Sequence, residues 1–406
     1  MKIEVDTVKG FQDYLPPVSL KRNAVQKIIE LWFQRYGFVP IETPVVEFDE
    51  LMRADVPNEE DEAVSDRFRL KDRAGRNLGL RYEFTFQLAR ILKQNPNMKL
   101  PFKRYQIGQV FRDEPVGQGR FRQFTQCDID IVGDVGVKGD AEVLVCVMDI
   151  LQELNIPAEI QVNNRKLLQA LIESVEIKSV KEVMRELDKM TKIGEDQVKV
   201  NLKKYADANQ ILTLFKLLEK DLSFFIENAF DGASELEALQ QECALYGLTV
   251  KVNTNMIRGL GYYTGNIFEV VSANKRSIAG GGRYDKVVGK YLGREIPSMG
   301  ISFGLERVTE LANITVPALP RALLVSIGQD AASVKLVQKL RRAEISCVLF
   351  SDKVGKALEY ANAYAIPYVV FVGENELKEK KFKVRDMKNG NEEALSEKAI
   401  VKLFKE

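Results

Sequence analysis

The sequence predicts an α+β protein: an antiparallel sheet flanked by helices, interrupted by a helical insertion and followed by a C-terminal α/β domain. Three observations carry this reading. The segments from Leu100 to Gly133 and from Tyr262 to Ile278 alternate apolar and polar residues with the period of a half-buried strand. Between them, roughly from Gln161 to Leu248, the period becomes helical and the charge dense, as in KSVKEVMRELDKMTKI. After ITVPALPRA, where Pro317 and Pro320 mark a linker, short strand-like and helix-like pieces alternate as in a small α/β unit.

Taken in order, Ser19 to Tyr36 reads as a helix with Val25, Ile28, Ile29, Trp32 and Tyr36 on one face, and Gly37 is placed to end it. Phe38 to Glu47 is extended, because Pro40 and Pro44 cannot sit inside a helix. The run from Gln109 to Gly133 forms a hairpin across a loop holding Pro115, Gly117 and Gly119. In the tail, Ala322 to Ile327, Ile345 to Phe350 and Tyr368 to Val372 read as strands, with helices over 331–342 and 354–365. A hairpin turning at Asn389-Gly390 closes the domain. The expected boundaries are 1–160 for the first part of the core, 161–250 for the insertion, 251–317 for the returning core and 321–406 for the last domain.

A chain of 406 residues calls for two or three domains, and 45% hydrophobic with 29% charged residues describes a globular protein. No apolar run is long enough to cross a bilayer and the N-terminus lacks a signal-peptide core, so a cytoplasmic location is expected. Cys127, Cys146, Cys243 and Cys347 form no close pair and read as buried, reduced thiols. Net charge is +1, so contact with nucleic acid must rest on local patches; residues 321–406 carry 16 basic and 12 acidic side chains. The chain contains no histidine, which excludes an imidazole base, a Ser-His pair and a histidine-bound metal. No metal site is expected.

The richest chemistry lies in the second arm of the first hairpin. Arg120, Arg122, Phe124, Gln126, Asp128 and Asp130 share one parity; Phe121, Thr125, Cys127, Ile129 and Ile131 share the other. One face is packed and the other is chemical. A single phenyl ring among arginines and carboxylates suits a stacked planar ring with an anion beside it, and so a nucleotide. A solvated charged face is the plainer alternative.

Four further pieces, LRYEFT (Leu80 to Thr85), RGLGYYTGNIFEV (Arg258 to Val270), AGGGRYD (Ala279 to Asp285) and GISFGLER (Gly300 to Arg307), together with this hairpin resemble the histidyl-tRNA synthetases of the class II aminoacyl-tRNA synthetases. The resemblance spans essentially the whole chain. It implies the class II antiparallel sheet, an anticodon-binding tail, a cytoplasmic homodimer, and use of ATP, Mg²⁺, L-histidine and histidine tRNA. It implies catalytic roles for Arg112 and Arg258 at the α-phosphate, the latter in place of a metal ion. Arg112, Glu114, Arg120, Phe124 and Arg307 match ATP-binding positions, with Phe124 and Arg307 sandwiching adenine. Glu83, Thr85 and Gln126 match those that take the substrate ammonium. Asp130 and Tyr263 match those that bind the imidazole, Tyr262 and Tyr284 line the pocket, and Arg112 and Arg258 complete the histidine set. Two departures are visible: Asp130 is shorter than the glutamate many relatives carry, and Gly261 stands where many have aspartate.

Each residue also has an ordinary role open to it. Glu83 could pair with Arg81, Tyr262 and Tyr263 could be strand aromatics, and Glu306 with Arg307 could be a helix-surface pair. Gly259, Gly261 and Gly265 fail as a dinucleotide fingerprint, since Thr264 takes the third-glycine place; Gly280 to Gly282 lack the residues of a P-loop, and close backbone approach to a substrate fits them better. The alternative in another functional class is a catalytically inactive regulatory subunit of histidine biosynthesis built on the same fold. Such relatives usually lack the tail domain and lose the ATP-binding arginines, whereas Arg112, Arg120, Arg258 and Arg307 are all present here.

Overall fold

The computed structural model describes residues 5–52, 66–117, 119–257 and 262–405. They divide into two compact units, one running to Ile314 and one from Thr315.

The first helix spans Val18–Arg35 and turns Val25, Ile29 and Phe33 inward, one residue per turn, where all three are fully buried. Gly37 closes it at φ +75°, with its N–H donated back to the Gln34 carbonyl at 2.9 Å. The strands of this unit are β1 (Val39–Pro40), β2 (Val46–Phe48), β3 (Arg69–Lys71), β4 (Asn77–Leu80), β5 (Phe102–Phe111), β6 (Gln123–Val132), β7 (Ala158–Asn164), β8 (Lys251–Val252), β9 (Asn266–Ser272), β10 (Ser277–Arg283) and β11 (Ser298–Gly304). Eight of them form one sheet in the order β1-β5-β6-β11-β10-β9-β7-β8, antiparallel except at its two edges. The other three make a small sheet, β2-β4-β3.

The expected hairpin is β5 and β6, paired from Phe102↔Val132 to Phe111↔Gln123. The expected strand over 262–278 is two strands, β9 and the start of β10, because SANKR (272–276) turns the chain back. The expected insertion boundary at residue 161 falls inside β7, a full member of the large sheet; the helical stretch runs from Arg165 to Leu245. Its helix Ala233–Leu245 packs on the core helix Val137–Glu153, and its apolar residues join the same hydrophobic core.

The second unit has a five-stranded sheet of β12 (Ala322–Ser326), β13 (Cys347–Phe350), β14 (Tyr368–Val372), β15 (Phe382–Asp386) and β16 (Glu392–Leu395), in the order β13-β12-β14-β15-β16. β12 pairs in parallel with β13 and β14, and the hairpin β15–β16 adds antiparallel strands, with Gly390 at φ +75° in its turn. Helices Asp330–Arg342 and Val354–Ala363 take the expected places. Two helices were not expected. Glu374–Glu379 is too short to show a period, and Glu397–Lys405 follows the hairpin and buries Ile400 and Phe404, one turn apart. All four cysteines are free and buried, as expected.

Candidate active site

The middle of the large sheet forms the floor of a cavity of about 600 Å³. Strand alternation builds it. On β6, Cys127, Ile129 and Ile131 point into the core with at most 2% exposure, while Phe124, Gln126, Asp128 and Asp130 line the cavity. Register sets the residues in rows across three strands: Arg104 of β5, Asp130 and Gly300 of β11 in one, and Gln106, Asp128 and Ser302 in the next. Gly300 is required there, because a Cβ would lie 2.2 Å from Asp130 Oδ1. Gly281 of β10 is equally constrained, with a Cβ 1.9 Å from the Gly300 carbonyl oxygen. The close approach expected of this glycine run is therefore, first of all, one strand against the next.

One end of the cavity is a buried cluster of charge. The Arg104 guanidinium is wholly inaccessible and lies 2.6 Å from Asp130 Oδ2. Tyr284 donates its hydroxyl to the other oxygen of Asp130. Tyr262 donates to Glu83 at 2.9 Å, and Ser302 donates to Asp128. Burial pushes Glu83 up to about 7 and Asp128 up to about 8, and raises Asp130 against the opposing pull of Arg104. Three carboxyl groups thus share a site with the Arg104 guanidinium, and that of Arg81 faces Asp128. Besides Asp130 Oδ2, which faces Arg104, the acceptor atoms Glu83 Oε1 and Gln126 Oε1 are buried with no hydrogen-bond partner among the described residues. Thr85, Tyr262, Tyr263 and Tyr284 line the same space, with the Tyr262 ring 5.0 Å from Tyr263 and edge-on to Tyr284 at 6.1 Å. An anionic pocket with spare acceptors suits a small cation-bearing ligand.

The other end is cationic and aromatic. Arg112 leaves β5 and lies between two rings, 4.3 Å from the Tyr82 centroid and 5.1 Å from that of Phe124. It approaches Glu114 at 3.9 Å. Glu114, Arg120, Phe124 and Arg307 line this end, and Arg307 donates to the Ser277 carbonyl at 3.0 Å. Of the expected site residues only Arg258 is not placed: with Gly259 and Gly261 it lies outside the described residues.

The ordinary roles open to several of these residues are taken by other partners. Arg81 donates to the carbonyls of Gln109 and Thr43, at 2.7 and 2.8 Å, and not to Glu83. Glu306 pairs with Arg22 of the first helix at 3.0 Å and accepts the Thr125 N–H at 3.1 Å, which ties β6 to the helix Leu305–Leu311. The motif that looked like a helix-surface pair is a clamp on the cavity floor.

Comparison with known proteins bears on the same residues. A family model described as histidyl-tRNA synthetase matches residues 10–308, and one described as anticodon binding domain matches 322–406. A Bacillus cereus protein named histidine--tRNA ligase 1 is 37% identical, with 96% of this chain and 95% of the relative covered. The chain belongs to the histidyl-tRNA synthetase family. A histidine--tRNA ligase of Clostridium tetani is 33% identical over 99% of this chain and 98% of its own length. The crystal structure of the histidyl-tRNA synthetase from a Nostoc species superposes with a TM-score of 0.87 at 28% identity, covering 100% of this chain and 99% of that one.

Within this class II synthetase fold, sequence reasoning missed Arg104, Ser302 and the role of Asp128. Asp128 had the right parity, but Arg104 and Ser302 become neighbours only through the register of β5 and β11 with β6. It also missed Arg185, Lys189 and Lys192, which bring insertion cations to the cavity wall.

Proposed function

We propose that this synthetase joins L-histidine to its tRNA in two steps, forming histidyl-adenylate from ATP and then transferring histidine to the tRNA. The observation that carries this reading is the single cavity in which an anionic pocket with free acceptors meets an arginine-and-aromatic end. Adenylate formation brings two anions together, the substrate carboxylate and the α-phosphate, so positioned cations are what the protein must supply. Arg112 stands on the border between the two ends, beside Glu83 and Tyr82 on one side and Phe124 on the other. In this reading it bridges carboxylate and phosphate, Arg258 joins it at the α-phosphate, and Arg120 meets the distal phosphates. Phe124 and Arg307 hold adenine, with Glu114 near its edge. Mg²⁺ bound to the triphosphate would supply further positive charge beside Arg120.

On the amino-acid side, Glu83, Thr85 and Gln126 receive the ammonium. Asp130 and Tyr263 hold the imidazole, in a pocket walled by Tyr262 and Tyr284. The ring's two nitrogens satisfy polar groups that any other side chain leaves unpaired, so selection for histidine follows from hydrogen bonding alone. ATP–pyrophosphate exchange tried with each amino acid in turn tests this: histidine alone is expected to support it. Arg258→Ala is expected to fold normally and to lose exchange through its rate more than through binding. Near-normal exchange by that variant removes Arg258 from the reaction. The regulatory-subunit alternative is not favoured, since the chain keeps both the ATP-binding arginines and the anticodon-binding domain.

We also infer a homodimer in the cytoplasm. Among the described residues no helix is long and apolar enough to cross a membrane. The small sheet exposes Val46, Phe48 and Leu70 at 43%, 52% and 41%, beside the half-exposed Val45, an apolar surface of the kind a partner covers. Phe48→Asp is expected to shift the protein from dimer to monomer in sedimentation equilibrium; an unchanged mass places the interface elsewhere.

A further inference from the structure

Gln126, Ser302 and Asp128 form a short chain of hydrogen bonds beneath the amino-acid pocket. Gln126 Nε2 donates to Ser302 Oγ at 2.7 Å, and Ser302 Oγ donates to Asp128 Oδ1. Gln126 Oε1 is left buried with no hydrogen-bond partner among the described residues. The direction of this chain is set at its far end. Once ionised, the Asp128 carboxylate can only accept, so Ser302 then spends its single proton on it, and its lone pair must accept from the amide NH₂ of Gln126. The carbonyl end of that amide is thereby left for the cavity.

We propose that Asp128 is a positioning residue which, through Ser302, holds the Gln126 side-chain amide with its oxygen facing the substrate ammonium. This rests on the reading of Gln126 as an ammonium ligand and deepens it. Without the carboxylate, Ser302 is free to donate to Gln126 instead. The amide then turns over and presents NH₂ groups to a cation, so attraction becomes repulsion.

The charges around Asp128 fit the role. Arg81 and Arg104 face it as cations, Glu83 and Asp130 as carboxyls, and Tyr284 as a phenol, leaving an excess of acid groups. Burial, with the neighbouring acids, holds Asp128 at about 8, so near neutral pH an arriving ammonium displaces its proton and locks the relay as it binds. Histidine affinity therefore contains a component that grows as pH rises from about 7 toward about 8, and Asp128→Asn removes that component.

The test uses two inhibitors that differ only in the charged group: L-histidinol, which keeps the ammonium and the imidazole, and its deamino analogue, an imidazolyl propanol. Their dissociation constants are measured by calorimetry on the full-length wild type, Asp128→Asn, Ser302→Ala, the double variant and Gln126→Ala. Asp128→Asn and Ser302→Ala are each expected to weaken histidinol by about 10-fold or more, the size of a charge-assisted hydrogen bond. The deamino analogue is expected to bind all variants within about 2-fold of wild type. The double variant is expected to be no weaker than the worse single one, because both changes cut the same chain. Equal losses for both inhibitors mean a general structural defect and overturn the proposal, as does unchanged histidinol binding in Asp128→Asn. If Gln126→Ala itself spares histidinol, the ammonium assignment fails and the relay fails with it. If only Gln126→Ala weakens histidinol, the pocket reading stands and the relay alone is overturned.

Discussion

Replacing Arg112 with alanine is expected to cut histidine-dependent ATP–pyrophosphate exchange by about 10³-fold, the cost of removing a cation aimed at developing charge. The thermal unfolding midpoint is expected to move by no more than about 3 °C. The two effects separate because the present contacts of this side chain are weak. Its nearest carboxylate oxygen is 3.9 Å away, its bond to the Tyr82 carbonyl is 3.5 Å long, and its side chain is 24% exposed. Contacts of this kind contribute no more than about 1 kcal/mol to folding. The guanidinium is held ready between two rings and is not consumed by the fold. An exchange rate within tenfold of wild type, or a fall in stability that accounts for the lost activity, would sink this assignment.

The parts of the molecule legible in the sequence are those whose signal is local. The first helix, the β5–β6 hairpin and the strand-helix alternation of the tail follow from periodicity and turn residues; the helix and the tail elements lie within a residue or two of their expected ends, while the hairpin begins at Phe102, ahead of Gln109 but inside the strand-like run from Leu100. The chemical face of β6 was legible for the same reason, since parity alone separates Gln126, Asp128 and Asp130 from Cys127, Ile129 and Ile131. What could not be read depends on register between distant strands. Arg104 lies 26 positions before Asp130 and Ser302 lies 174 after Asp128, and no local pattern says that they will stand side by side. The boundary misplaced at residue 161 has a related cause. β7 has no hairpin partner next to it in sequence, and its neighbours in the sheet, β8 and β9, come only after the helical stretch. The insertion charges were visible in the sequence, but only folding shows that Arg185, Asp188, Lys189 and Lys192 reach the cavity.

Arg104→Met is expected to produce the largest loss of stability among the pocket variants, and a loss that depends on pH. In the wild type the guanidinium is fully buried and lowers the pKa of both Asp128 and Asp130 against the upward push of burial. Without it, Arg81, which faces Asp128, is the buried cation left beside Glu83, Asp128 and Asp130 among the described residues. A carboxyl whose pKa is raised on folding leaves the native state holding more protons than the unfolded one, so stability falls as pH rises toward the folded pKa. That fall already exists in the wild type through Glu83 at about 7 and Asp128 at about 8. Removing Arg104 raises Asp128 and Asp130 further, so the deficit of the variant is small where both proteins keep these protons and widens as pH climbs past about 8, where the wild-type Asp128 gives up its own. Stranding one partner of a buried pair costs about 3–5 kcal/mol, which corresponds to a midpoint lowered by about 10 °C at the higher pH. Adding Asp130→Asn to Arg104→Met removes one stranded carboxyl and is expected to restore part of that loss without restoring histidine binding, because the imidazole acceptor has gone with it. Thermal unfolding of the three proteins from below neutral pH to well above pH 8, read beside the KM for histidine, checks each step. A deficit of equal size across that range would mean that Arg104 supports the fold by packing alone, and that the pocket's excess of acid is balanced by other groups.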